Sequence, residues 1–309
     1  MRKAIVTGAN GFVGAAVCKE LIYNNVDVIA IIRSSDSDIR RLSDVCNKIK
    51  ILYCDLSDFS KLDDLIPDRD VDAFYHFAWS GSAGNLRSDL EIQIDNVRHT
   101  CDTVKACASL NCKRFVFAAS LMEYEIEAVM ETASTPRINT LYCIAKITAD
   151  YMARTLAGSL GIDYIRGVIS NIYGPGETSP RLINTSLKKL LRGEHCSFSA
   201  GEQIYDFIYI TDAAKIFVKL GDAGKANKTY YIGSSKPRPL KEFLVEMRDC
   251  VDPSVNIGLG ELPFNGVSLT YKEFDINAVK FDTGFVPEVP FRMGITKTIE
   301  WLKRQELKL

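Results

Sequence analysis

The sequence has no long apolar run, almost no net charge and no metal-type cysteine pairing, and each absence closes off a class of function. No stretch approaches the ~20 apolar residues of a membrane-spanning helix. The opening Met1-Arg2-Lys3 leads into Ala4-Ile5-Val6, a run ended by Gly8 and too short for a secretory leader. A net charge of −1 advertises neither nucleic acid nor an acidic membrane surface as a partner. The nine cysteines are scattered, so no metal site is expected. Their odd number and the missing leader point to reduced thiols in a cytoplasmic protein, most simply small buried hydrophobes. Internal repeats, low-complexity tracts and a spacer between halves are also missing.

What is present is 309 residues, 47% of them apolar. That is ample for a packed core and beyond the size at which one core usually keeps growing, so one continuous unit with two lobes is expected. Mostly apolar runs at Ala4–Val6, Val26–Ile32, Ile49–Tyr53, Ala73–Phe77, Arg114–Ala119 and Tyr164–Ile169 read as strands buried on both faces. Helical patterns at Ala15–Tyr23, Leu90–Leu110 and Leu141–Ala157 alternate with them. This alternation predicts an α/β, Rossmann-like, doubly wound parallel sheet. After Asn171 the texture becomes irregular, with a helix at Pro180–Arg192, strands at Tyr205–Tyr209 and Thr229–Ile232, and prolines punctuating the remainder. The expected division is a dinucleotide-binding domain over 1–169 with 205–233 returning to it, and a smaller C-terminal substrate lobe over 170–204 and 234–309.

The turn Thr7-Gly8-Ala9-Asn10-Gly11-Phe12-Val13-Gly14 follows the first strand and opens the first helix. Missing side chains let backbone approach a pyrophosphate, and a helix N-terminus offers N–H groups and partial positive charge. The spacing, Gly8-x-x-Gly11-x-x-Gly14, is not the GxGxxG fingerprint. The second strand ends Ile32-Arg33. A ribose with a free 2′-hydroxyl calls for an acid at this point and a 2′-phosphate for arginine, so Arg33 favours NADP(H) over NAD(H). Its plain alternative is a solvated strand end. In Cys54-Asp55-Leu56, Asp55 is a candidate for the adenine amino group or, equally, the N-cap of a helix at Phe59–Leu65.

Tyr142 and Lys146 are four residues apart, hence on one helix face. A tyrosine with an ordinary pKa of about 10 exchanges protons poorly at neutral pH. A cation within ~4–6 Å favours the phenolate and brings the hydroxyl into range. The fifth strand ends at Ser120, and the carboxyl ends of such strands line the ligand crevice. Ser120 can hold a carbonyl oxygen while Tyr142 exchanges its proton. Taken alone, it could equally cap a turn.

Together these residues resemble the short-chain dehydrogenase/reductase superfamily, specifically its extended branch of NAD(P)-dependent sugar-nucleotide epimerases, dehydratases and 4-keto-reductases. The resemblance runs almost end to end. It implies that Gly8, Asn10, Gly11, Phe12, Val13 and Gly14 form the cofactor turn, with Arg33, Asp55 and Leu56 on the adenosine side. Ala78 and Trp79 of His76-Phe77-Ala78-Trp79 would lie near the nicotinamide half, and Asn96 matches an Asn of the following helix. Ser120, Tyr142 and Lys146 match the catalytic trio, Tyr142 and Lys146 also meeting cofactor. Ser170-Asn171-Ile172-Tyr173-Gly174-Pro175-Gly176 resembles the segment whose Asn meets the sugar nucleotide, so Ser120, Asn171 and Tyr205 are the candidate substrate contacts. Asp206–Asp212 and Thr283–Pro287 also fit the branch.

Two departures bear on the reaction. Branch dehydratases carry an Asp-Glu pair after the catalytic hydroxyl, where this chain has Leu121-Met122, so water elimination by that route is disfavoured. Many relatives have a diphosphate-gripping Arg where this chain has Tyr205, and Gly266-Val267-Ser268-Leu269 offers no second one. Arg181, Lys188 or Lys189 are possible substitutes, although a solvated helix face explains those lysines. The sequence thus predicts an NADP(H)-dependent 4-keto-sugar reductase acting on a nucleotide-linked sugar. An NAD-dependent C4 epimerase is the alternative, and a non-catalytic cofactor sensor is a minor one that the intact trio argues against. The resemblance also implies a homodimer through Leu90–Leu110 and Leu141–Ala157.

Overall fold

The computed structural model describes residues 1–124, 126 and 140–306. The chain divides into two compact units: Met1–Ile169 with Ala214–Ile232 and Asn277–Phe285, and Ser170–Ala213 with Gly233–Ile276 and Val286–Leu309.

The first unit is built on seven strands, β1 (Lys3–Thr7), β2 (Asp27–Ile32), β3 (Lys50–Tyr53), β4 (Ala73–His76), β5 (Arg114–Ser120), β6 (Asp163–Ile169) and β11 (Thr229–Ile232). Their order is β11-β6-β5-β4-β1-β2-β3, and every pairing is parallel. Parallel strands need crossovers, here supplied chiefly by α1 (Phe12–Tyr23), α3 (Leu90–Ser109) and α4 (Thr140–Ser159), with the one-turn helix α2 (Leu62–Leu65) between β3 and β4. Ile5, Val6, Phe74, Val116 and Ile165 are fully buried, as expected of strands covered on both faces. Phe115 stacks on Phe74 and on Tyr164 with ring centroids 5.8 Å apart in each case, so the sheet centre is an aromatic layer. Strand order reverses between β1 and β4, which places the ligand crevice at their carboxyl ends.

The last pieces of this unit come late in the chain. Helix α6 (Ile210–Ala223) carries the chain in, β11 adds the edge strand, and α8 (Asn277–Thr283) returns to cover it. Asp282 of α8 accepts from Lys228 Nζ at 2.6 Å and from the Tyr230 hydroxyl at 2.7 Å.

In the second unit, β7 (Asn171–Tyr173) pairs in parallel with β10 (Phe207–Tyr209), β8 (Ser197–Phe198) pairs in parallel with β13 (Gly258–Leu259), and β9 (Ile204–Tyr205) pairs antiparallel with β12 (Arg238–Pro239). Helices α5 (Leu182–Leu191), α7 (Leu240–Val251) and α9 (Phe291–Glu306) complete it. The strand expected over Tyr205–Tyr209 is therefore two short strands, and residues 205–213 lie in this unit rather than on the main sheet. The break has a local cause. The buried carboxylate of Asp206 accepts from the Ser234 backbone N–H at 2.8 Å and from its hydroxyl, which takes Asp206 out of either ladder. Seven of the nine cysteines are buried and all are free thiols. Among the described residues no helix is long and apolar enough to cross a membrane, and no cluster of potential metal ligands occurs.

Candidate active site

The glycine turn is fixed by close approach. Gly8 has φ +63°, and a Cβ on it would stand 2.8 Å from the Ala78 nitrogen beyond β4. A Cβ on Gly14 would stand 2.2 Å from the Gly8 carbonyl oxygen, so only glycine lets α1 start this close to the end of β1. The N-cap of α1 is Gly11, with no side-chain cap and no acid in the first turn. The first-turn N–H groups are thus left for an external anion, which fits a dinucleotide pyrophosphate. Asn10, Phe12 and Val13 lie at the same turn; Asn10 Nδ2 donates to the Asp38 carbonyl at 3.0 Å.

At the exposed end of β2, Arg33 reaches the Ser80 hydroxyl at 3.2 Å, and its Nε lies 3.6 Å from Asp55. Asp55 caps the 3-10 turn Leu56–Lys61 by accepting from the Ser57 N–H at 3.0 Å. That bond, opposed by partial burial and helped by Arg33, holds its carboxyl below the usual range. Leu56 is buried beneath the turn. Arg41, which sequence reasoning passed over, donates to the Asn10 carbonyl at 3.2 Å and adds a second guanidinium at the turn. The adjacent pair Arg40-Arg41 was its available signal.

The segment after β4 is clamped from both sides. Thr7 Oγ1 lies 2.9 Å from His76 Nδ1 and accepts from the Ala78 N–H at 3.3 Å. From α3, Asn96 exchanges two bonds with the Ser80 backbone, at 2.9 and 2.8 Å, and Gln93 accepts from the Trp79 indole at 3.1 Å. Burial, the largest influence, holds the His76 imidazole at about 3, hence neutral.

Trp79 meets two members of the predicted trio, Tyr142 and Lys146. Its ring stands edge-on to Tyr142, centroids 6.0 Å apart, and the Lys146 ammonium is 3.7 Å from its centroid. Both Tyr142 and Lys146 are buried, one turn apart on α4. Lys146 Nζ donates to the Ala118 carbonyl of β5 at 2.9 Å. Burial lowers Lys146 to about 7, against the opposing pull of Glu123 and Asp150. Ser120 ends β5; its hydroxyl accepts from the Met122 N–H at 3.3 Å, so the capping reading and the site position coincide. Arg87, unforeseen from sequence, lies 4.3 Å over the Tyr142 ring.

The other two predicted contacts lie in the second unit. Asn171 Nδ2 donates to the Asp206 carbonyl at 3.1 Å, beside Tyr205. Arg238 sits opposite Tyr205 in the β9–β12 register, stacked 4.0 Å over Phe243 and ion-paired with Glu246. Cross-strand partners share a face, so a guanidinium stands next to the position where the resemblance expects one. Arg181, offered as a substitute, is paired with Glu177 at 3.5 Å.

Residues 4–233 match the model of the NAD dependent epimerase/dehydratase family. The chain is 23% identical over 342 residues to dTDP-glucose 4,6-dehydratase of Escherichia coli, covering 97% of this chain and 93% of that one. Among solved structures it is similar to the Bordetella bronchiseptica enzyme WbmF in complex with NADH, with TM-score 0.81, 20% identity, and 99% and 93% of the two chains covered. It is also similar to UDP-N-acetylglucosamine 4-epimerase from Methanobrevibacter ruminantium M1 in complex with UDP-N-acetylmuramic acid, with TM-score 0.81, 22% identity, and 98% and 99% covered.

Proposed function

We propose, from the premise that this chain belongs to the NAD-dependent epimerase/dehydratase family, that it is an enzyme reducing the 4-keto group of a nucleotide-linked sugar with NADP(H). The observation that carries the reading is the buried pair Tyr142 and Lys146, packed with Trp79 beside the strand that ends in Ser120.

The nicotinamide, when bound, supplies the reducing equivalent. The chain's own residues do the rest. Ser120 holds the carbonyl oxygen. Tyr142 hands that oxygen a proton as negative charge develops on it. Lys146, as a cation, favours the phenolate that remains. Trp79 and Phe117 keep water from the ammonium, so its charge acts in a low-dielectric surrounding. Gly8 and Gly14 make the backbone cradle for the pyrophosphate. Arg33, with Arg41 nearby, supports a 2′-phosphate on the adenosine ribose; the solved relative WbmF holds NADH.

Water elimination does not suit this site. Leu121 and Met122 offer no acid, and the next residue, Glu123, is buried with its carboxylate committed to the Ser120 N–H and Arg166. For the sugar nucleotide, Asn171 and Tyr205 are the proposed contacts, and Arg238, across the ladder from Tyr205, is the proposed diphosphate cation. Assay of the purified chain with NADPH and NADH against a panel of nucleotide-linked 4-keto and 4-hydroxy sugars tests the reading. Turnover requiring added NADPH supports it; NAD(H) retained through purification, with interconversion of C4 epimers, would establish the epimerase instead.

A homodimer fits the outer face of α3 and α4. Leu90, Ile94, Ile144 and Met152 are each 42–51% exposed around a cleft of about 530 Å³. The small residues Ala149 and Ala153 are fully buried within their own unit. The exposed apolar residues, not the small ones, are therefore what a second copy would cover.

A further inference from the structure

Four charged side chains are buried around the end of β5, and the proposed chemistry uses only one of them. Glu123, Asp150 and Lys146 are 2–6% exposed, and the Arg166 side chain 13%. Glu123 belongs to the 3-10 turn Leu121–Glu123, Asp150 lies one turn beyond Lys146 on α4, and Arg166 lies on β6 beside Phe117 of β5. They form a chain. Glu123 Oε1 accepts from the Ser120 backbone N–H at 2.7 Å, while Oε2 pairs with the Arg166 guanidinium. Arg166 Nε lies 3.1 Å from Asp150 Oδ2. Asp150 Oδ1 accepts from the Tyr164 hydroxyl at 2.9 Å, and Arg154 approaches Oδ2 at 3.5 Å.

Stability alone does not call for this arrangement. Charges are costly to bury, and well-packed apolar residues in place of a buried ion pair are often neutral or stabilising. What the chain achieves is geometric. It ties the Ser120 turn to the neighbouring strand and to the helix carrying Tyr142 and Lys146. It also balances two buried cations with two buried carboxylates. Among the described residues no carboxylate is in hydrogen-bond contact with Lys146; its bonded partner is a backbone carbonyl. Among the described residues, the other groups facing this region include the neutral His76 and Trp79 after β4, Asn96 and Thr100 of α3, Arg87 above Tyr142, Tyr124 beside Arg166, and Tyr164 of β6.

We propose that Glu123, Arg166 and Asp150 are positioning residues, a buried relay that fixes the Ser120 turn to β6 and to the helix carrying Lys146 and sets the charge surroundings of that lysine. The inference rests on the proposed role of Lys146. Glu123 and Asp150 both act to raise Lys146 against its burial. Burial also raises Glu123, opposed first by Arg166 and then by the Ser120 N–H, the contacts of an anion.

The test uses the full chain labelled with [13Cε]lysine, with the Lys146 resonance assigned by its loss in Lys146→Arg. In the wild type, burial places the expected midpoint of this lysine at about 7. In Glu123→Gln the midpoint falls by about one unit, a roughly tenfold drop in the ratio of charged to neutral lysine at a given pH. Asp150→Asn shifts it in the same direction and serves if the first variant does not fold. In the wild type itself the Ser120 amide proton resonates downfield, as a donor to a carboxylate. A midpoint unmoved in the folded variants, or a Ser120 amide at an unbonded position, overturns the proposal. The failures are separable. If Tyr142→Phe retains turnover while the Lys146 midpoint still moves, the catalytic reading fails and the relay stands. If Tyr142→Phe abolishes turnover and the midpoint stays put, the relay fails alone.

Discussion

The ammonium of Lys146 lies 3.7 Å from the centroid of the Trp79 ring, with its bonded partner the Ala118 carbonyl at 2.9 Å. A cation so placed is costly to keep, and burial brings it from 10.5 to about 7. Between those values the unfolded chain holds a proton that the folded chain has released. Stability from this group therefore rises with pH across the window, and below about 7 the buried charge weighs fully on the fold. Lys146→Met removes that burden. We expect the variant to melt about 1–2 °C above wild type at pH 6, as roughly 1 kcal/mol produces in a chain of 309 residues, with the gap closing towards pH 10. Thermal melts at both values check this, and a variant less stable at pH 6 would contradict it.

Tyr142→Phe should lower kcat by about 10²–10⁴-fold, the usual worth of a positioned acid, while NADPH affinity stays within about threefold of wild type. Comparing turnover with cofactor titration separates the two effects. Undiminished turnover would remove Tyr142 from the chemistry.

Arg33→Ser should weaken NADPH binding by at least about tenfold, the loss of one charge-assisted contact, and leave NADH binding nearly unchanged. Equal losses for both cofactors would mean that Arg33 acts through Asp55 and Ser80 on the shape of the site, without reading a 2′-phosphate.

Arg238→Ala should raise KM for a nucleotide-linked sugar by about tenfold or more with little change in kcat, because a diphosphate grip serves binding. The stack on Phe243 contributes packing as well, so Arg238→Met is the companion variant. A KM unchanged in both would place the diphosphate elsewhere.

The parts of the site that repeat a local rule were legible in the sequence. Apolar runs mark the buried strands, and Gly8, Gly11 and Gly14 mark a strand-to-helix turn by their spacing alone. The Tyr142–Lys146 spacing sets a shared helix face, and the ordered matches along the chain make it a candidate site. The relay behind it was not legible. Glu123, Asp150 and Arg166 come from three elements, and their meeting depends on the register that sets Arg166 beside Phe117. Arg238 was missed for a similar reason: its place opposite Tyr205 follows from a ladder two residues long. The Tyr205–Tyr209 strand looked continuous because the pattern does not reveal that Asp206 turns to Ser234.

The late return of α8 to the first unit sets a timetable for synthesis. A ribosome that has finished β6 has made six of the seven strands, but β6 remains a bare edge until β11 arrives, and the clasp of Asp282 on Lys228 and Tyr230 arrives later still. At about 5–20 residues per second, the interval from residue 169 to residue 232 lasts roughly 3–13 seconds. For that time the nascent chain exposes an unpaired strand edge, the kind that invites wrong partners. A chaperone acting on this protein would find its work there, and a message truncated after β11 would yield a sheet complete in strands yet lacking its clasp.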